Sequence, residues 1–222
     1  MRARVASPLI VGCVVAFVAL ELVAMRLYPG GTFWDPSARG ARFWQNFLCD
    51  LESDVALDGE PNVVGARVAR AAMLTMVLGF APFWWTVPRL FVSLPRLGSC
   101  VRALGLASLA GIVAVTLMPS SRYGYLHGVA VIVAGLPGLS AAALAVVGLA
   151  RAEARPRVAA AIGAAMLASA GVDFALYART MVGGGPGPRV LPIAQKLALI
   201  LLLAWMVVVA WRAAIRETRA PS

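Results

Sequence analysis

A chain of 222 residues that is 61% hydrophobic and 14% charged, with mean hydropathy +0.83, lacks the charged surface of a soluble domain, which runs to about 25%. Its formal charge of +10, from 20 Lys+Arg against 10 Asp+Glu, is dotted between apolar runs instead of gathered on one face. That pattern excludes a nucleic-acid partner and fits arginines flanking membrane spans, and the long unbroken apolar runs exclude a membrane β-barrel.

Arg2 and Arg4 precede the first apolar run, 8–27. It exceeds the roughly 7–15 residues of a signal-peptide core and contains Glu21, so it reads as an uncleaved first span. A polar loop, 28–62, follows, and its stretch 43–62 carries five of the ten acidic residues. Tyr28-Pro29-Gly30-Gly31 predicts a turn. Phe43, Trp44, Phe47, Leu48 and Leu51 recur at helical spacing with Asn46 and Asp50 on the flank, which predicts a short surface helix with its aromatic face toward lipid. Asp58-Gly59 and Glu60-Pro61 end it, and Asn62 is placed to cap the next helix. Glu52, Asp54, Asp58 and Glu60 read as a solvated acidic loop.

The second span is predicted over 67–88, with Pro82 inside and Phe83-Trp84-Trp85 as an interfacial aromatic belt. The third, 103–118, is near the lower length limit of ~17 residues. A polar turn with Arg122, Tyr123 and Tyr125 leads to His127 and a fourth span over 127–150, where Pro137 predicts a kink. The fifth, 158–178, is rich in Ala and Gly, residues that let membrane helices approach and associate. After a turn at Gly183-Gly184-Gly185-Pro186-Gly187-Pro188, the sixth occupies 191–211. The expected fold is one domain, an all-α integral membrane bundle of six transmembrane helices with no internal repeat.

Placing both termini in the cytoplasm puts Arg2, Arg4, Arg89, Arg96, Arg102, Arg151, Arg155, Arg157, Arg212, Arg216 and Arg219 inside. Arg26, Arg39, Arg42, Arg67, Arg70, Arg122, Arg179 and Arg189 then lie outside. The asymmetry follows the positive-inside rule, so the acidic loop is expected to face outward from the cell membrane, and the arginine-rich coding suggests a bacterial inner membrane. On this topology Glu21, His127, Asp173 and Lys196 share the outer level with the loop. Tyr177 stands one helical turn from Asp173. Ionisable groups inside a bilayer usually face a bundle interior or a cavity, so an outward-facing polar pocket is expected. Its candidate residues are Glu21, Asn46, Asp50, Arg122, His127, Asp173, Tyr177, Gln195 and Lys196. Lys196, the sole lysine, lies ~6 Å inside its helix start and either snorkels to the headgroups or pairs with Asp173 or Glu21.

One histidine excludes a multi-histidine zinc site, and neither HExxH nor GxSxG occurs. Cys13, Cys49 and Cys100 fall in separate regions with no CxxC pair, so no disulfide framework is expected. The acidic loop does not match an EF-hand, and the Gly-rich turn lacks GK[ST]. Neither cofactor nor metal is expected.

Asn46-Phe47-Leu48-Cys49-Asp50-Leu51-Glu52, with Glu60-Pro61-Asn62 downstream, His127-Gly128, and Gln195-Lys196 resemble elements of the six-span family grouped as domain of unknown function 998, and more distantly of DRAM-like proteins. Those families carry an N-x-x-S-D-L-G element after span one. Cys49 stands here for its serine and Glu52 for its glycine. The resemblance implies the six-span architecture and the loop as the site, with no defined activity. The leading expectation is therefore a non-enzymatic protein whose outer pocket binds a small solute or lipid headgroup, as a transporter or sensor does. Its alternatives are a membrane-embedded hydrolase using His127 with Asp50 or Asp173, and a structural partner of other membrane proteins through span five.

Overall fold

The computed structural model describes residues 3–153, 156–183 and 187–219. The expectations resting on Arg2, Arg155 and Gly184-Gly185-Pro186 lie outside the described residues, as do the side chains of Arg4 and Arg219. In chain order the helices are α1 (Ala3–Leu27), α2 (Leu48–Leu51), α3 (Val63–Thr86), α4 (Pro95–Leu117), α5 (Ser120–Tyr123), α6 (Tyr125–Arg151), α7 (Arg157–Gly183) and α8 (Leu191–Arg219). A 3-10 turn, Val87–Phe91, extends α3. Six helices, all but α2 and α5, are long and apolar enough to cross a membrane. At 1.5 Å per residue each exceeds the ~30 Å hydrocarbon core, and a helix satisfies its own backbone there.

Consecutive long helices pack side by side, and α8 returns to pack on α1, so the six close into a ring. One end of that ring is filled by aromatic rings. Phe83 sits edge-on to Trp84 and Trp205, with centroids 5.0 and 5.1 Å apart. Phe80, Phe91, Leu149 and Met206 extend this core. The expected aromatic belt is corrected here: Phe83 and Trp84 are buried and only Trp85 is exposed. Trp84 turns inward because Gly105 on α4 leaves room for its indole. One helix crossing brings two backbones into close approach. It joins Gly111 of α4 to the Ala134 backbone of α6, whereas in α7 only Ala159, Gly163 and Met166 are buried.

Helix ends move as well. α4 begins eight residues before the expected 103 and takes Arg96 and Arg102 into the helix, Arg102 covering the Trp85 ring at 5.2 Å. α7 continues through Gly183, and α8 runs past 211 to Arg219.

The loop after α1 is folded and not an open solvated connector. β1 (Gly30–Thr32) and β2 (Asp35–Arg39) form an antiparallel hairpin, and an isolated bridge pairs Val55 with Pro61. Gly31 has φ +82°, and the Leu57 and Asp58 backbone fills the space where a Cβ would stand. The expected surface helix over 43–51 does not form. One turn closes from Arg42, Phe47 is extended (ψ 160°), and only α2 is helical. The aromatic side chains separate accordingly: Trp44 is exposed, Phe47 lies near Trp34, and Phe43 turns toward α8.

Candidate functional site

Asn46 holds this roof together and is the reason the helix breaks. Its Oδ1 accepts from the Arg42 N–H at 2.8 Å, and its Nδ2 donates to the Gly31 carbonyl at 2.8 Å and to Asp50 Oδ2 at 3.3 Å. Those bonds compete with the helical ladder that the apolar spacing predicts. Asp50 Oδ2 also accepts the Phe47 N–H at 2.8 Å, tying the start of α2. Burial pushes the Asp50 carboxyl up to about 6, although these two donors and nearby Lys196 act against it.

Two long helices clamp the roof. Arg70 of α3 donates twice to the Glu52 carbonyl, at 3.1 and 2.7 Å, and forms an ion pair with Asp54 at 2.7 Å. Asn62 occupies the N-cap position of α3, but its side chain does not cap the helix. It donates instead to the Leu51 and Ser53 carbonyls, at 3.0 and 2.9 Å. From α8, Gln195 Oε1 accepts the Leu48 N–H at 3.0 Å. Lys196 Nζ donates to the Asn46 carbonyl at 2.8 Å and to Gln195 Oε1 at 3.3 Å, and it stands over the Phe43 ring at 5.6 Å. Lys196 therefore neither snorkels nor makes a direct ion pair. It is 3% exposed, and among the described residues the ion pair within 4.0 Å is Arg70–Asp54. Glu21, Asp50 and Asp173 surround the ammonium electrostatically without touching it.

Beneath the roof, between α1 and α8, lies a cavity of about 160 Å³. Phe17, Leu48, Leu51, Leu199 and Leu203 give it an apolar lining, and Glu21 and Lys196 stand in its wall. Glu21 is 8% exposed, and neither of its carboxylate oxygens has a hydrogen-bond partner. An unpaired polar group in such a place costs free energy. Three lining residues, Val18, Leu22 and Ile200, are also exposed on the outer faces of their helices, so the cavity is reached from the side.

The expected site residues divide into two sets. Glu21, Asn46, Asp50, Gln195 and Lys196 come together around the cavity and its roof. Asp173 is half-buried within electrostatic reach of Lys196, and Tyr177 lies near Cys49 and Gly128, beside the cluster. His127 and Arg122 stand apart. His127 is buried and its Nδ1–H donates to the Met118 carbonyl at 2.7 Å; exposed Arg122 rests over the Tyr123 ring. Glu52 was missed. It is 1% exposed, with one carboxylate oxygen unpartnered, whereas Asp54, Asp58 and Glu60 are exposed as expected. Burial and the facing charge of Glu21 push the Glu52 carboxyl up to about 8, against the pull of Arg70. Nothing in the local sequence separates Glu52 from its solvated neighbours, because its burial comes from Arg70 and Asn62 drawing its backbone inward.

No family model, no curated protein and no solved structure matches this chain.

Proposed function

We propose that the protein binds one amphiphile taken laterally from the bilayer, with its chain between α1 and α8 and its polar head under the roof. The roof faces outward from the cell membrane, with both termini in the cytoplasm. The observation that carries this reading is the side-opening apolar cavity whose wall bears Glu21 and Lys196. A solute without an apolar part would leave most of that lining unmatched, since ligand pockets place a few polar groups in an otherwise complementary wall. The filled aromatic end around Phe83, Trp84 and Trp205 favours a binding or sensing role over a conduit. Outward orientation rests on the excess of arginines at the opposite end.

The hydrolase reading is weaker, because His127 is engaged at the end of α4 and Asp50 is occupied by the roof backbone. Of the residues resembling the domain of unknown function 998, Asn46 and Gln195-Lys196 join roof to α8, and Asp50 ties the roof to itself.

Leu203 lines the cavity two turns from Lys196, so Leu203→Trp fills it without touching the roof. Native mass spectrometry of the purified protein is expected to show one retained amphiphile per chain, absent from Leu203→Trp. Equal retention, or none in either, overturns the reading.

A further inference from the structure

Three carboxylates, Glu21 of α1, Asp50 of the roof and Asp173 of α7, gather around Lys196 of α8, and Glu52 of the roof faces Glu21. Arg70 of α3 is the other nearby cation. Arg70 spends its donors on the Glu52 carbonyl and on Asp54, and Lys196 spends two of its three on Asn46 and Gln195. The cavity is thus short of positive charge, and the shortfall falls on one group. Glu21 is more than nine-tenths buried, both its oxygens are open, and it lines an apolar space beside Phe17 and Phe43.

Resting on the amphiphile reading above, we propose that the ligand is a lipophilic amine whose protonated head is held by the Glu21 carboxylate. An ammonium supplies the N–H donors that the two oxygens lack, and it satisfies a carboxylate more strongly than a neutral donor does. An aromatic face on the wall adds attraction for a cation and none for an anion. A fatty carboxylate would have Lys196 alone to receive it, among the carboxyl groups of Glu21, Asp50 and Asp173. A fatty alcohol would leave the charge of Glu21 uncompensated.

The test is equilibrium binding of radiolabelled decylamine, decanol and decanoate to the full chain in maltoside micelles, with Leu203→Trp setting the partition background. Decylamine is expected to saturate at one per chain and about 10- to 100-fold more tightly than decanol, the range of a charge-assisted hydrogen bond. Glu21→Gln should reduce decylamine to the affinity of decanol, and Glu21→Asp should keep part of the preference. If all three saturate with decanol or decanoate equal to or tighter than decylamine, the amine assignment fails while the amphiphile reading survives. If none saturates above the Leu203→Trp background, both fall. Should Glu21→Gln not fold, the head-group series on the unsubstituted protein decides by itself.

Discussion

Glu52 and Asp54 are two positions apart and experience different media. Asp54 is exposed and paired with Arg70, whereas Glu52 is buried, faces Glu21, and its carboxyl rises from 4.5 to about 8. A raised carboxyl means that the folded protein holds the proton more tightly than the unfolded chain does. This stabilisation is complete below pH 4.5 and is lost as pH rises through about 8. Stability in detergent is therefore expected to fall across that window. Glu52→Gln should flatten the fall and raise the melting midpoint at pH 8 by several degrees, for a cost of ionisation on the order of a few kcal/mol. A midpoint for Glu52→Gln that tracks the unsubstituted protein at every pH would show that Glu52 stays ionised. Asp50 differs, because its oxygen is a working acceptor for Phe47 and Asn46. Asp50→Asn keeps an oxygen for those donors but removes the carboxylate charge that strengthens both bonds, and should cost about 1–3 kcal/mol. Asp58→Asn and Glu60→Gln, at exposed positions, should change the midpoint little, and equal tolerance at all three would reduce the roof to a passive connector.

At the scale of elements, the long helices were legible and the roof was not, for a physical reason. A span declares itself because lipid demands an unbroken apolar run, and the runs at 8–27 and 191–211 lie within α1 and α8. Ends were read less well where an amphipathic arginine, such as Arg96 or Arg102, rides on the helix beyond its apolar part. The roof is set by pairings distant in sequence. Asn46 to Gly31, Asn62 to Leu51 and Lys196 to Asn46 override the local apolar spacing of 43–51 that argued for a helix. Glu21 and Lys196 meet at the cavity while His127 stands apart, and the direct partners of Lys196 are the Asn46 carbonyl and Gln195, not Asp173. A tight crossing lies between α4 and α6, whereas most of the small residues of α7 lie outside the buried core. At Gly111 a Cβ would stand 2.5–2.7 Å from Ala134, while at Gly171 of α7 nothing lies within 4 Å. Gly111→Leu is expected to separate α4 from α6 and lower the folded yield sharply, because overpacking costs about 1–3 kcal/mol or more. Gly171→Leu should be tolerated. Equal yields by size-exclusion chromatography would contradict the crossing.

For the whole molecule, the cavity and the roof lie at one end of the ring and the aromatic core at the other, so the side of the membrane bearing the roof decides which leaflet would supply the proposed amphiphile. Native Cys49 is a poor reporter of that side. It is half-buried, and burial together with Asp50 and Glu52 pushes its thiol well up, so little reactive thiolate forms. Asp58 offers an exposed position at the roof tip, and Cys100, exposed near the start of α4, reports on the opposite end. In a chain carrying Cys49→Ala, an impermeant maleimide applied to intact cells should label the Asp58→Cys variant. Cys100 should react only once the membrane is opened. Labelling of Cys100 from outside, with the Asp58→Cys thiol protected, would turn the roof toward the cytoplasm. The arginine excess would then lie on the outer face, and the amphiphile would have to enter from the inner leaflet.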